Sequence, residues 1–396
     1  MELNFKPKVL IFIDWFLPGY KAGGPIKSVA NIINALQSHY EFIVVTSNRD
    51  AGNSKPYNNL KHNKWLDVYN ARIIYLTSNL KLLGMLRNIV RKEAYKVVYF
   101  NSLFSVRYTL LPIIFIKWVR PNVKIILAPR GMLGDGALQI KVVKKTVFIF
   151  ITRYFSFFNK VTWHASSQYE ADEIYAAFGK NLDVVIAPNI TLISKLATQE
   201  RTKNAGEAKF FFLSRISEKK NLIGAIKLLQ KLPKGSNHVS LDIIGPIEDQ
   251  NYWLLCQEEI KKTTNGVTIK LIGSIPNHLL DNHLPNYHFL LFPTFNENYG
   301  HVIVEALSAG CPVLISDQTP WRDLRTKQIG WDTNLKQENE YIQAISEAIA
   351  MPQYTFNSWS LKSVEYVMSY ICSPEIIEKN RELFAVNPKT PKNATQ

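Results

Sequence analysis

YHFLLFPTFNENYGHVIVEALSAGCPVLIS (287–316) sets the architecture. The apolar run YHFLLFP (287–293) has the length of a strand and stops at Pro293. A loop carrying Glu297 follows, and from Gly300 the apolar residues recur at helical spacing through HVIVEALSAG (301–310). PVLIS (312–316) then opens the next strand. A strand, a helix and a strand in such close succession are the repeating unit of a parallel sheet.

The same alternation extends in both directions. AKFFFLSR (208–215), SLDIIG (240–245) and VTIKLIG (267–273) read as strands, with NLIGAIKLLQKL (221–232) a helix between the first two. Nearer the N-terminus, KVLIFI (8–13), EFIVVTS (41–47), ARIIYL (71–76), KVVYF (96–100), KIILAP (124–129), VTWHAS (161–166) and DVVIAP (183–188) are again strands. They are continuously apolar, as strands covered on both faces must be. IKSVANIINALQ (26–37) and SQYEADEIYAAFG (167–179) are helical, the second with Ser166 or Ser167 as cap and Gly179 as its end. The polar interval TQERTKNAGEAK (198–209) separates two such series and reads as a linker. The expected fold is α/β: two Rossmann-like, doubly wound domains, 1–195 and 205–372, facing across a cleft. A C-terminal segment of about 375–396 is expected to pack back onto the first. Ligands of such sheets lie beyond the carboxyl ends of the strands, so the loops there carry the chemistry.

Composition agrees with a globular protein: 396 residues, 46% hydrophobic and 20% charged. The 47 basic and 32 acidic residues leave +15, a field that attracts anions. Cys256, Cys311 and Cys372 are far apart and lack metal-ligand spacing, which suits reduced thiols in a cytosolic protein. The expected location is therefore cytoplasmic. Neither the N-terminal KVLIFI nor Tyr108–Ile116 reaches the length of a membrane span. Nucleic acid is the alternative partner for so basic a chain, but no zinc-finger spacing, RNP motif or long Lys/Arg run supports it.

Three loops stand out. In the 293–316 stretch the helix start near Gly300 offers unsatisfied N–H groups to an anion such as phosphate. Glu297 and Glu305 could accept hydrogen bonds from sugar hydroxyls; the competing reading is an ordinary acidic loop residue and a solvated helix residue. SRISEKKN (214–221) places Arg215 and Lys220 at a strand's end, where a guanidinium and an ammonium can grip a diphosphate, or simply meet solvent. DWFLPGYKAGGPIKS (14–28) has Gly23 and Gly24 before a helix, allowing close backbone approach to a phosphate or sugar.

Together GGPIKSVANIINAL, SRISEKKN and ENYGHVIVEALSAGCPVLIS resemble the retaining, GT-B-fold glycosyltransferases called group 1 or family 4, over nearly the whole chain. PRGML (129–133) and GPIEDQNYW (245–253) are similar to members that build bacterial O-antigen, capsule or lipopolysaccharide. The resemblance implies that Glu297 faces the donor sugar and Glu305 the nucleotide ribose. Arg215 and Lys220 would neutralise the donor diphosphate, and Gly24 would approach it from the first domain. Glu297, Arg215 and Lys220 are the implied catalytic set. Gly23, Gly24, Asn298, Tyr299, Gly300, His301 and Glu305 are the implied donor contacts, with His301 alternatively a cap of the turn.

The donor would be a UDP- or GDP-sugar, the enzyme a metal-independent hexosyltransferase without cofactor, since no D-x-D pair is present. Arg130 stands where many relatives carry a histidine and is assigned with His164 to the acceptor side. Arg130 is then a candidate for an acceptor phosphate, and His164 competes with a satisfied core histidine. The acceptor implied is a lipid-linked saccharide. QIKVVKKTVFIFITRYFSFFNK (139–160) and YTLLPIIFIKWVR (108–120) mix cations with aromatics, as in-plane helices on an anionic bilayer do, or as buried helices with basic outer faces do. The expectation is peripheral attachment to the inner face of the cytoplasmic membrane. A nucleotide-sugar epimerase and a non-enzymatic GT-B assembly partner are the alternatives.

Overall fold

The computed structural model describes residues 6–77, 82–134, 142–191, 201–236, 238–371 and 373–386. They form two compact units. The first holds the described residues up to Leu133, those of 142–190 and those from Pro374 onward; the second holds those from Thr191 to Ser373.

In the first unit the described strands are β1 (Lys8–Phe12), β2 (Glu41–Ser47), β3 (Trp65–Val68), β4 (Ala71–Leu76), β5 (Val97–Phe100), β6 (Lys124–Leu127), β7 (Val161–Ala165) and β8 (Asp183–Ile186). Their order is β3-β4-β2-β1-β5-β6-β7-β8. All neighbours are parallel except β3, which runs antiparallel to β4. In the second unit β9 (Ala208–Leu213), β10 (Val239–Ile244), β11 (Thr268–Gly273), β12 (Phe289–Phe292), β13 (Val313–Ser316) and β14 (Gly330–Thr333) are ordered β11-β10-β9-β12-β13-β14, all parallel. Both are doubly wound α/β sheets of the Rossmann kind, as their apolar runs require. Every residue of β5, β7, β12 and β13 is buried.

Two strands escape the sequence reading. β3 is an edge strand with Asp67 in its four residues. It is joined to β4 by Tyr69 and Asn70, both at positive φ, the two-residue turn whose twist suits a hairpin. β14, Gly-Trp-Asp-Thr, is short and half polar, and only its pairing with β13 makes it a strand.

Two cations, one of them buried, tie the described part of the 198–209 interval into the second unit. Lys203 is fully buried, and its ammonium donates to the carbonyls of Asn204, Ile349 and Met351 at 2.9, 2.9 and 3.0 Å. The last two lie at the end of helix Glu338–Ala350, where unsatisfied carbonyls concentrate negative charge. Arg201 donates to the carbonyls of Tyr287 and Gly310 and to the Cys311 sulfur. Cys256 and Cys311 are buried free thiols, and Cys372 lies outside the described residues.

His288 fastens β9 to the same interval. Its Nδ1 accepts from the Lys209 amide at 3.1 Å, so the ring proton sits on Nε2, 3.0 Å from the Thr202 carbonyl. Burial lowers its pKa to about 4. The unfolded chain therefore takes up a proton near pH 6.5 that the folded chain refuses, and stability is complete above that pH and lost as pH falls toward 4. A thermal-unfolding series over that window should show the decline, and His288→Gln, less stable at pH 7, should show less of it.

Candidate active site

In the second unit the chain runs outward from β9 to β10 and β11 on one side and to β12, β13 and β14 on the other. The loops after β9 and β12 thus diverge, and the crevice between them is where a sheet of this order holds ligands. Arg215 and Lys220 follow β9, and Glu297 follows β12.

Side-chain and backbone bonds fasten the two loops together. Asn221, in the left-handed conformation, accepts from the Gly224 amide at 3.1 Å, capping helix Leu222–Gln230, and donates to the Pro293 carbonyl at 2.8 Å. The Lys219 carbonyl accepts from the Phe295 amide at 3.1 Å and the Thr294 hydroxyl at 3.2 Å. From the β13 side, Ser316 donates to the Thr294 carbonyl, and the Glu297 amide donates to the Gln318 carbonyl at 2.8 Å. Asn221 and Gln318 were not singled out from the sequence. The first had a signal, an Asn at the cap position of an apolar helix; the second had none.

The Lys220 ammonium forms an ion pair with the Glu297 carboxylate, and the two side chains are only 12% and 18% exposed. Burial pushes the Glu297 carboxyl up, but the charge and hydrogen bond of Lys220, with Lys219 and Arg215 further off, hold it below its ordinary value. Glu297 is therefore a fixed anion and a strong hydrogen-bond acceptor. Lys220, expected to face a diphosphate, is directed at Glu297, with its ammonium 5.5 Å over the Phe292 ring. Arg215 is half-exposed and paired with Glu248.

Helix His301–Ser308 begins at Gly300, at φ +81°, with no side chain capping it. A Cβ at Gly300 would lie 2.7 Å from Ile303 Cδ1 and 3.3 Å from Glu297 Cγ, so the turn needs glycine both for conformation and for space. Asn298, His301 and Glu305 are half-buried along this segment. Tyr299 is turned inward instead: its hydroxyl is 2.9 Å from Thr191 Oγ1, and its carbonyl accepts from Trp321 Nε1 at 2.6 Å. Its ring supports His301, 4.8 Å away between centroids. Tyr299 therefore shapes the turn from within, because its ring is too apolar to leave the Trp321 cluster.

In the first unit Gly23, at φ +70°, precedes helix Gly24–Leu36, with Pro25 in its first turn. No atom lies within 4 Å of a Cβ built on Gly23, so the helix start is open. The loop before it is fixed by Asp50, which accepts from the Tyr20 and Lys21 amides at 3.0 and 3.2 Å.

Arg130 and His164 occupy the same unit and touch a common partner, Tyr99. Arg130, at φ +57°, donates from Nε to Asn101 at 2.6 Å, from Nη1 to Asn189 and from Nη2 to the Tyr99 hydroxyl. Tyr99 in turn bonds His164 Nδ1 at 2.9 Å, and His164 Nε2 is 2.8 Å from the Ala187 carbonyl. Since Tyr99 accepts from Arg130, its proton goes to Nδ1 and His164 carries its own on Nε2. Burial and the Arg130 charge lower the His164 pKa to about 3, keeping the ring neutral. His164 is the satisfied core histidine. Each nitrogen of Arg130 is committed to an internal acceptor, so the guanidinium braces the carboxyl ends of β5, β6 and β8. Glu170, 1% exposed, completes the brace by accepting from Gly131 at 2.7 Å and Ser166 at 2.8 Å. Among the described residues no group of three or more His, Cys, Asp or Glu side chains is placed to hold a metal.

Removing Lys220 alone leaves the buried Glu297 anion without its hydrogen-bonded partner, and breaking such a pair costs about 3–5 kcal/mol. Urea unfolding should find Lys220→Met less stable than Lys220→Met/Glu297→Gln. Additive effects would show the pair to be uncoupled. Gly300→Ala should also destabilise the second unit, through its clash with Ile303.

Residues 195–354, less than half of the chain, match the family Glycosyl transferases group 1. No curated protein sequence matches the chain. Among solved structures it is similar to HepE of Anabaena, in complex with UDP and glucose, with a TM-score of 0.71 and 15% identity over 95% of this chain and 98% of that one. Sucrose-phosphate synthase of Thermosynechococcus elongatus gives 0.69 and 16% over 96% and 98%. WaaG, a glycosyltransferase involved in lipopolysaccharide biosynthesis, gives 0.63 and 12% over 95% and 98%. At these identities the structures establish the fold, and the family match covers the segment that holds Arg215, Lys220, Glu297 and Glu305. The chain therefore carries a glycosyl transferases group 1 domain within a GT-B fold, and it is a glycosyltransferase.

Proposed function

We propose that the protein is a retaining, family 4 type glycosyltransferase that takes a hexose from a nucleoside diphosphate sugar without a metal ion. It would pass the sugar to a lipid-linked saccharide in surface polysaccharide, O-antigen or lipopolysaccharide synthesis. The observation that carries this reading is the Lys220–Glu297 pair at the divergence of the β9 and β12 loops, inside the group 1 domain. Complexes of HepE with UDP-glucose and the involvement of WaaG in lipopolysaccharide synthesis support the donor class and the acceptor class. The proposed place of work is the inner face of the cytoplasmic membrane.

Breaking the bond between the anomeric carbon and the diphosphate oxygen leaves negative charge on the leaving group and positive charge on the sugar ring. Arg215, Lys220 and the uncapped start of helix His301–Ser308 are fixed positive groups for the first. The Glu297 carboxylate, ionised by its surroundings, accepts hydrogen bonds from the sugar and favours the developing positive charge. In this scheme Lys220 divides its three donors between Glu297 and the diphosphate. Glu305, one helical turn further, serves the ribose hydroxyls.

The first test is thermal unfolding with UDP, GDP, ADP or CMP in the presence of a chelator. A ligand at a hundredfold excess over its Kd adds about 2.7 kcal/mol to the folded state. One diphosphate should raise Tm, and the rise should vanish in Lys220→Ala and Glu305→Gln. No rise with any nucleotide would remove the donor assignment. With the donor known, turnover should persist in chelator, and the anomeric proton coupling of the product should report retention.

A further inference from the structure

Helix Val142–Tyr154 of the first unit is apolar on two faces, and among the described residues only one of them is covered. Inward, the Phe148 ring lies 5.1 Å from that of Phe104 and 6.4 Å from that of Phe158. Thr152 is buried with its hydroxyl on the Phe148 carbonyl at 2.8 Å, and the Lys145 ammonium lies 5.3 Å over Phe104. Outward, Val143, Phe150, Tyr154 and Phe155 are 75%, 68%, 73% and 72% exposed, and Val147 and Ile151 are about half exposed. At about 100° per residue, positions 143, 147, 150, 151 and 154 fall within about 100° of arc. Exposed Lys144 borders that arc on one side and exposed Arg153 on the other.

This face is not a scatter of single apolar residues, which any protein surface has. Among the described residues no other segment of similar length concentrates so many large exposed apolar side chains. Helix Leu111–Val119 of the same unit also exposes an aromatic, Trp118, at 70%. Lys117 of that helix donates to the Phe157 and Asn159 carbonyls, in the turn that follows helix Val142–Tyr154.

Charge identifies the occupant. Residues 94–169 contain eleven Lys and Arg and a single acid, Asp135, a local excess of ten within a chain total of +15. A second copy docking here would set this cationic segment against itself. A protein partner would have to be both acidic and greasy over the whole face. An apolar stripe edged by cations, with aromatics at its exposed positions, matches an anionic phospholipid surface, where rings enter the headgroup layer and cations meet phosphates.

We propose that Val143, Val147, Phe150, Ile151, Tyr154 and Phe155 dock the chain in the plane of an anionic bilayer, with Lys144 and Arg153 at its headgroups. The purpose of docking rests on the proposed lipid-linked acceptor; the docking itself does not depend on the donor chemistry.

The full chain is sedimented with vesicles of phosphatidylcholine alone or of phosphatidylcholine with phosphatidylglycerol. At low salt it should pellet with the anionic vesicles at least tenfold more tightly than with the neutral ones. Raising salt should reduce that preference, because the headgroup contacts are screened. The triple variant Val143→Ser/Phe150→Ser/Tyr154→Ser, altered only at exposed sites, should unfold at the wild-type temperature and bind at least tenfold more weakly. Lys144→Glu/Arg153→Glu should lose the anionic preference. Absence of sedimentation by the folded wild type, or unchanged binding by the triple variant, overturns the proposal. A concentration-dependent dimer abolished by the triple variant would give the face to a second copy and overturn it too. Vesicle binding that survives in a protein stabilised by no nucleotide would keep the docking surface and reject the donor assignment; nucleotide binding without vesicle binding would do the reverse.

Discussion

The parallel pairing of β9 with β12 is the constraint on which the site depends. Phe210 and Phe211 register with Phe289 and Leu290, although nearly eighty residues separate them in the chain. Once these central strands are adjacent, the chain continues to opposite sides of the sheet, and the loops beyond their carboxyl ends cannot cover one another. Asn221, Lys219 and Ser316 then fasten the loops, and Lys220 meets Glu297. Without that pairing, Lys220 and Glu297 would be two unrelated charges.

The recurring physical theme is charge taken out of water and compensated within a few ångströms. Glu297 is held ionised against burial by three cations. Arg130 has each of its nitrogens on a neutral acceptor, and Lys203 stands on three carbonyls. His164 and His288 meet the same demand by remaining neutral, each with its proton position fixed by a backbone carbonyl. Such groups are costly when a partner is removed and add rigidity when all are satisfied. Glu297, Arg130 and His164 lie at the carboxyl ends of their strands, where loops must be held still for a ligand, whereas Lys203 and His288 secure the amino ends of β9 and β12.

The exposed face of helix Val142–Tyr154 runs against this economy, since its inward contacts already satisfy the fold. Phe150 and Tyr154 stack on each other at 6.3 Å between centroids while reaching into solvent. The inner face alone suffices to pack the helix, so the outer one is a property of the surface.

The amino-acid sequence alone determined the local pattern. Continuous apolar runs broken by helical spacing required parallel strands covered on both faces, and residue type at strand ends singled out the Glu297 and Arg215/Lys220 loops as candidates, with solvated surface loops as the alternative. These signals are short-ranged and survive in a string of letters. What tertiary structure decided is everything that depends on a neighbour distant in sequence. β14 is a strand only beside β13, Tyr299 points inward because Trp321 and Thr191 receive it, and Arg130 is spent on Asn101, Asn189 and Tyr99 instead of standing open to a ligand. Whether the aromatics of 142–155 are core or surface was likewise undetermined until packing placed Phe148 inside and Phe150 outside. Burial and hydrogen-bond partnership are relations between segments, and only the folded chain fixes them.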